Sequence, residues 1–238
     1  TPFSLEAAKQ LNKINIKAFK IGSGECNNIP LIKKIANFKK PIILSTGMND
    51  IKSISKSVNV LKKEKANFAL LHCISEYPAN IKKLNLDFIN ILKKKFPKTI
   101  IGYSDHAKGI IPAISAMAKG ALIIEKHFTD TKKRFGPDII CSMDPNELKL
   151  LKESANQIFY SNGSKRIISS IEKITAKFAF SSVVSTKNIT RGERFSEKNI
   201  WVKRPGTGYF KASQFDKILG KKAKRFISKD NFIKKNDV

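Results

Sequence analysis

Thr99-Ile100-Ile101-Gly102-Tyr103-Ser104-Asp105-His106 and Ala121-Leu122-Ile123-Ile124-Glu125-Lys126-His127 share one design, a short apolar run that ends in charged or hydroxylated residues. The same design occurs three times upstream, over Ala18 to Ile21, Pro41 to Leu44 and Ala69 to Cys73, with successive starts 23, 28, 30 and 22 residues apart. That period accommodates a strand, a helix and two loops, and continuous apolar strands predict a parallel sheet buried on both faces. Lysine-rich stretches between them read as amphipathic helices over Leu31 to Phe38, Ile51 to Glu64, Leu86 to Phe96 and Ile110 to Lys119, with a first helix over Leu5 to Leu11. Asp144-Pro145-Asn146-Glu147 supplies an N-cap, a proline and a capping glutamate for a last helix reaching about Tyr160.

Strand–helix repeats fold either as a doubly wound open sheet or as part of an eight-unit (β/α)8 TIM barrel. The polar clusters favour the barrel. Lys20, Ser23 and Glu25 follow the first run; Ser45-Thr46-Gly47 the second; Ser75 and Tyr77 the third; Ser104, Asp105 and His106 the fourth; Glu125, Lys126 and His127 the fifth. Five consecutive strand ends converge only around a ring, whereas an open sheet gathers two or three at its switch point. The expected fold class is therefore α/β, a TIM barrel with its last five units present. At roughly 30 residues per unit, three strands are expected upstream, about 90 to 110 residues.

Residues 1–162 are expected to form this barrel portion. Residues 163–177 carry no clear periodicity and read as a linker. Residues 178–238 read as a small β-rich domain, with short segments at Phe178 to Val184, Asn199 to Val202, Lys217 to Gly220 and Ala223 to Ile227.

The 238 residues, 41% of them hydrophobic with mean hydropathy -0.26, exclude a disordered chain, and no apolar run reaches the length of a membrane helix. The formal charge of +27 invites a polyanion partner. Only 6 of the 46 basic residues are arginine, however, and lysine pairs such as Lys33-Lys34 and Lys82-Lys83 suit solvated helix faces, so neither nucleic acid nor membrane is expected as partner. Three distant cysteines, Cys26, Cys73 and Cys141, write neither a disulfide framework nor a CxxC site, and the cytoplasm is the expected location.

His106 and His127 follow adjacent strands, close enough to share one divalent ion, with water and substrate oxygens completing the shell. Such a shell suits manganese or magnesium better than structural zinc. Two ordinary hydrogen-bonded histidines remain the alternative; His72, inside a strand, reads as core. Lys20-Ile21-Gly22-Ser23-Gly24-Glu25 reads as a phosphate or carboxylate cradle, although Lys20 could instead serve Schiff-base chemistry. Ser104 and His106 share one side of a strand with Asp105 on the other, which disfavours a hydrolase triad. Gly136-Pro137-Asp138 either holds a carboxylate over the barrel mouth or forms a turn, and Lys203-Arg204-Pro205-Gly206 presents an arginine in a glycine-rich loop.

In order, Thr1-Pro2-Phe3, Lys20 to Asn28, Pro41 to Met48, His72-Cys73, Tyr77-Pro78, Ser104 to His106, Glu125 to Thr129, Gly136 to Asp138 and Trp201 to Gly206 resemble the sialic acid synthase family, bacterial N-acetylneuraminate synthases in particular. The resemblance implies a transferase with a barrel and an antifreeze-like (SAF) domain. Such an enzyme condenses phosphoenolpyruvate with N-acetylmannosamine and releases phosphate; legionaminic and pseudaminic acid synthases use other amino sugars. By motif, Lys20, Ser23, Ser45, Ser75 and Ser104 would hold phosphoenolpyruvate, with Ser75 standing where similar synthases carry Asn. His106 and His127 would bind manganese, Glu25 would be the acid/base, and Tyr77 and Asp138 would contact the sugar. Arg204 would enter the partner's site in a domain-swapped homodimer. The family's early strands supply a further Glu, Lys and Gln not found in this chain, so the fragment alone is expected to be inactive.

Overall fold

The computed structural model describes residues 1–238 and divides into two compact units, Thr1–Asn162 and Gly163–Val238. In the first, α1 (Leu5–Lys13) precedes five strands, β1 (Phe19–Ile21), β2 (Ile42–Ser45), β3 (Phe68–Cys73), β4 (Ile100–Asp105) and β5 (Ile124–Lys126). Between them lie α2 (Ile29–Ala36), α3 (Ile51–Lys63), α4 (Phe88–Lys95) and α5 (Ile111–Ala118), and α6 (Pro145–Ser161) follows. All pairings are parallel and the strand order is sequential, β1-β2-β3-β4-β5. A sheet without reversal of order has no switch point, so its right-handed crossovers stack every helix on the same side, the winding of a barrel rather than of a doubly wound sheet.

The helices start where their sequences cap them. Asn28 and Asp50 accept from the amides of Leu31 and Ser53, and Asp144 with Glu147 closes the full capping box of α6. Their apolar faces meet the helix-facing side chains of the strands. Phe19, Ile21, Ile42, Leu44 and Leu70 are fully buried against Ile32, Ile35, Ile54 and Leu61. Cys26 and His72 belong to this packing too; His72 gives its Nε2 to the Leu84 carbonyl at 2.7 Å, as a core histidine should.

The structure moves some expected boundaries. β4 continues to Asp105, so Ser104 and Asp105 are strand residues rather than loop residues. β5 begins at Ile124, because the run from Ala121 is spent leaving the left-handed Gly120 and bonding the Ile101 carbonyl through Leu122. No helix is long and apolar enough to cross a membrane.

In the second unit the stretch expected as a linker carries α7 (Ser170–Ala179), opened by a capping box between Ser169 and Glu172. β6 (Ser182–Ser185) and β7 (Ile200–Lys203) pair antiparallel, and Val183, Ile189, Phe195, Ile200, Ile218 and Ile227 form the core. Lys217 to Gly220 is not a strand. It follows a 3-10 segment at Ala212–Lys217, and Ala223 to Ile227 forms no continuous strand, bonding at its two ends through Ala223 to Gly192 and Glu193 and through Ile227 to Ile189.

Gly102 is where the sheet tolerates least. A methyl there would meet the Ile123 carbonyl at 2.4 Å and Leu71 Cδ2 at 2.5 Å, the first of which is backbone and cannot turn aside. Gly102→Ala is expected to lower stability by about 2 kcal/mol or more, read as a shifted urea midpoint with unchanged slope.

Candidate active site at the strand ends

Alternation and register build the site in rows. Cys73 pairs with Ser104 and Ser104 with Glu125, and all three line one cavity of about 500 Å³. Two residues further along each chain, Ser75, His106 and His127 line the same cavity, while Lys20, Ser23 and Ser45 enter it from β1 and β2. Side chains two apart on a strand share a face, which carries Cys73, Ser104 and Glu125 to one place, while Ser75, His106 and His127 follow just beyond the strand ends.

The anion end is made from β1 and β2. Ser23 Oγ accepts the Gly47 amide at 3.0 Å, and Asn49 ties the Ser23 and Gly47 carbonyls together at 3.1 and 2.7 Å. Gly47 leaves no room for a side chain, since a methyl would stand 2.3 Å from Ser75 Oγ and 2.9 Å from Ser23 Oγ. Lys20 Nζ lies 3.3 Å from Glu125 Oε1, and Ser45 Oγ donates to Oε2 of the same carboxylate at 3.4 Å. Lys20 is thus ion-paired, not isolated in the apolar pocket that Schiff-base chemistry requires.

The two imidazoles stand with ring centroids 5.4 Å apart, and the Tyr77 ring lies 4.1 Å from that of His106 and edge-on to His127 at 5.7 Å. His106 Nδ1 sits 2.9 Å from the Ile74 carbonyl, a contact that places its proton on Nδ1 and leaves the Nε2 lone pair free. No three His, Cys, Asp or Glu side chains are gathered as a metal cluster, so the protein's offer to a cation is two imidazoles in a partial shell. That donor set fits a manganese-like ion whose remaining positions go to oxygen.

Of the residues expected in the site from the first unit, two stand outside the lining. Glu25 does not line the cavity; it accepts the Asn28 amide group at 2.6 Å at the start of α2. The carboxylate that lines the cavity is Glu125, two residues before His127. Asp138 is outside the cavity lining but close, its Oδ2 3.8 Å from His127 Nδ1, with its backbone carbonyl held by Ser142 Oγ at 2.7 Å. Arg204, in the second unit, is exposed.

Cys73 also lines the cavity, a residue that composition alone gave no reason to single out. Its Sγ is 3.8 Å from both His106 Nδ1 and Ser75 Oγ. Burial raises the thiol's pKa, yet hydrogen bonds with His106, Ser23 and Ser75 and the imidazole charge outweigh it, so the net shift is downward. His106 moves the opposite way: burial opposes its charge, and Cys73 and the Ile74 carbonyl overcome it. Burial pushes Cys26 up to about 11 and raises Cys141 as well.

Limiting iodoacetamide near pH 8 is therefore expected to label Cys73 before Cys26 and Cys141, read by peptide mass spectrometry, because only thiolates react. Gly47→Ala is expected to weaken binding of inorganic phosphate in the cavity by about tenfold in calorimetry while moving the melting temperature little, since the displaced Ser75 and Ser23 hydroxyls are side-chain ends.

Comparison with known proteins agrees with this arrangement. The NeuB family profile matches residues 1–167 and the SAF domain profile residues 180–238. The chain is 43% identical to N,N'-diacetyllegionaminic acid synthase of Campylobacter jejuni over 239 residues, covering 98% of this chain and 71% of that protein. It is 34% identical to a pseudaminic acid synthase of the same species, covering 100% of this chain and 69% of the relative. Among solved structures it resembles the N-acetylneuraminic acid synthetase of Leptospira borgpetersenii, crystallised with citrate, with TM-score 0.69 and 36% identity over 73% of this chain and 61% of that one. Profiles covering both units, and identities of this size over nearly its whole length, make this chain a member of the NeuB family, the sialic acid synthase family, with a SAF domain.

Proposed function

We propose that the cavity is the site of a nonulosonic acid synthase that joins phosphoenolpyruvate to the aldehyde of an acetamido sugar and, with water, releases phosphate. The observation that carries this reading is the placement, in one cavity, of a lysine–serine anion cradle on β1 and β2 and of two histidines 5.4 Å apart after β4 and β5.

Lys20, Ser23, Ser45, Ser75 and Ser104 bind the phosphate and carboxylate of phosphoenolpyruvate. Lys20 and Ser45 already hold Glu125, so the incoming anion competes with that carboxylate and frees it. The enol carbon then attacks the sugar aldehyde while water adds to C2; Glu125 takes one proton from that water and passes it on to the former aldehyde oxygen. The resulting C2 hydroxyl gives its remaining proton to the departing phosphate as the C2–O bond breaks, which leaves the ketone. Manganese, or magnesium in its place, held by His106 and His127, supplies Lewis acidity toward the aldehyde. Tyr77 stacks against the sugar, its hydroxyl kept neutral first by burial and then by nearby negative charge. Asp138 and Arg204 bind the sugar's polar groups, Arg204 from the partner subunit of a swapped homodimer. The reaction belongs to the cytoplasm, where phosphoenolpyruvate is made.

N-acetylmannosamine is the sugar expected from sequence, and the 43% identity to a legionaminic acid synthase favours that enzyme's amino sugar as a second reading. Phosphate release from phosphoenolpyruvate by the full-length protein, profiled against both sugars, decides between them. His106→Ala is expected to lower kcat by about 100-fold or more, and Lys20→Met to raise the KM for phosphoenolpyruvate at least about tenfold. Retention of activity in His106→Ala would remove the metal from the reading.

A further inference from the structure

We infer that Asp105 and Lys126, a buried ion pair outside the catalytic chemistry, are positioning residues that set the separation of the two metal-site histidines; this rests on the metal role proposed for His106 and His127. Asp105 Oδ2 and Lys126 Nζ meet at 2.8 Å, and both side chains are wholly excluded from solvent. Asp105 and Lys126 are also the last register pair between β4 and β5. Each immediately precedes a histidine, so His106 and His127 are the first residues beyond the end of the backbone ladder.

The Tyr77 ring meets both imidazoles, but no hydrogen bond joins those two residues directly. His106 is held on its β3 side, its carbonyl accepting the Ala79 amide at 2.9 Å and its ring meeting the Ile74 carbonyl. His127 is held on the opposite side, its carbonyl accepting the Met143 amide at 2.8 Å. These anchors pull on different neighbours, and the Tyr77 ring between them offers no directional bond to fix the gap between the histidines. The ion pair closes it. Lys126 Nζ donates to Asp105 Oδ2 and also to the Ala107 carbonyl at 2.7 Å, while Asp105 Oδ1 accepts the Ala107 amide at 2.9 Å and the buried Tyr103 hydroxyl at 3.2 Å. One lysine from β5 thus grips the residues on both sides of His106.

A buried pair is a poor device for stability alone, because apolar side chains of similar volume usually serve as well. Its directional bonds, in contrast, fix one geometry, as outer-shell partners of metal ligands do.

The test uses the full-length protein with Asp105→Asn, Lys126→Met and the double variant. Each single variant leaves one buried group without its partner and should melt at lower temperature. The double variant removes both charges and should recover much of that loss. If the pair positions the histidines, manganese binding by the folded double variant, titrated by electron paramagnetic resonance, stays about 10- to 100-fold weaker than that of the unaltered protein. Its kcat falls while the KM for phosphoenolpyruvate is unchanged. Manganese affinity restored to within about threefold of the unaltered protein's would overturn the inference, since the effect expected of an outer-shell partner is larger.

If the unaltered protein binds no manganese, the metal reading of the site is what fails, and the clamp is judged on the metal-free protein. The chain has three histidines, and His72, held by the Leu84 carbonyl, is an internal reference. Side-chain resonances of His106 and His127 that shift or split in the double variant while those of His72 hold support the clamp. Unchanged resonances for all three overturn it.

Discussion

The pairing of Cys73 with Ser104 and of Ser104 with Glu125 is the constraint on which the site depends. Register in a parallel sheet decides not only which residues are neighbours but which face each occupies, and a slip of one residue would exchange the faces. Here the slip would turn Ser104 and Glu125 toward the helices and bring Asp105 to the cavity side. The buried apolar residues of the helix-facing side, Ile101 and Tyr103 among them, make that exchange prohibitively unfavourable. The hydrophobic layer that no substrate touches is therefore what aims the polar one.

The cavity is organised around charge that is already partly satisfied. Lys20 and Glu125 neutralise one another across the sheet, from β1 to β5, so the cradle presents an ordered cation without an unpaired buried charge. Glu125 remains partly exposed, so its pairing with Lys20 is screened by solvent. The net +27 of the chain has little to do with this arrangement. Ion pairs such as Lys83 with Glu76 and Lys203 with Asp230 are surface contacts, and the great excess of lysine sits in water.

Most of the sheet was legible because its signals are local. Apolar runs at strand-plus-helix spacing located all five strands, and Asp144 to Glu147 announced the capping box of α6. Ser169 and Glu172 carry the same signature, yet α7 escaped notice: its apolar residues Ile171, Ile174 and Phe178 are all exposed, and a short helix without a buried face gives weak periodicity. Lys217 to Gly220 looked like a strand because apolar pairs flanked by lysine suit either conformation, and only the tertiary packing of Ile218 decided.

Glu25 and Glu125 show where one-dimensional reading ends. Both follow an apolar run and a hydroxyl-rich or charged cluster, and motif order favoured the first. Glu25 lies past the end of β1, where the chain has turned into the 3-10 segment Ser23–Glu25, so strand alternation no longer governs its direction and its carboxylate caps the next helix through Asn28. Glu125 lies within β5, where its direction is enforced by hydrogen bonds to β4. The rule that places side chains by period two holds only as far as the ladder runs. Beyond it, residues need other ties, and at His106 and His127 the structure supplies them from the residue just before each, one carboxylate and one ammonium closed on each other where water cannot reach.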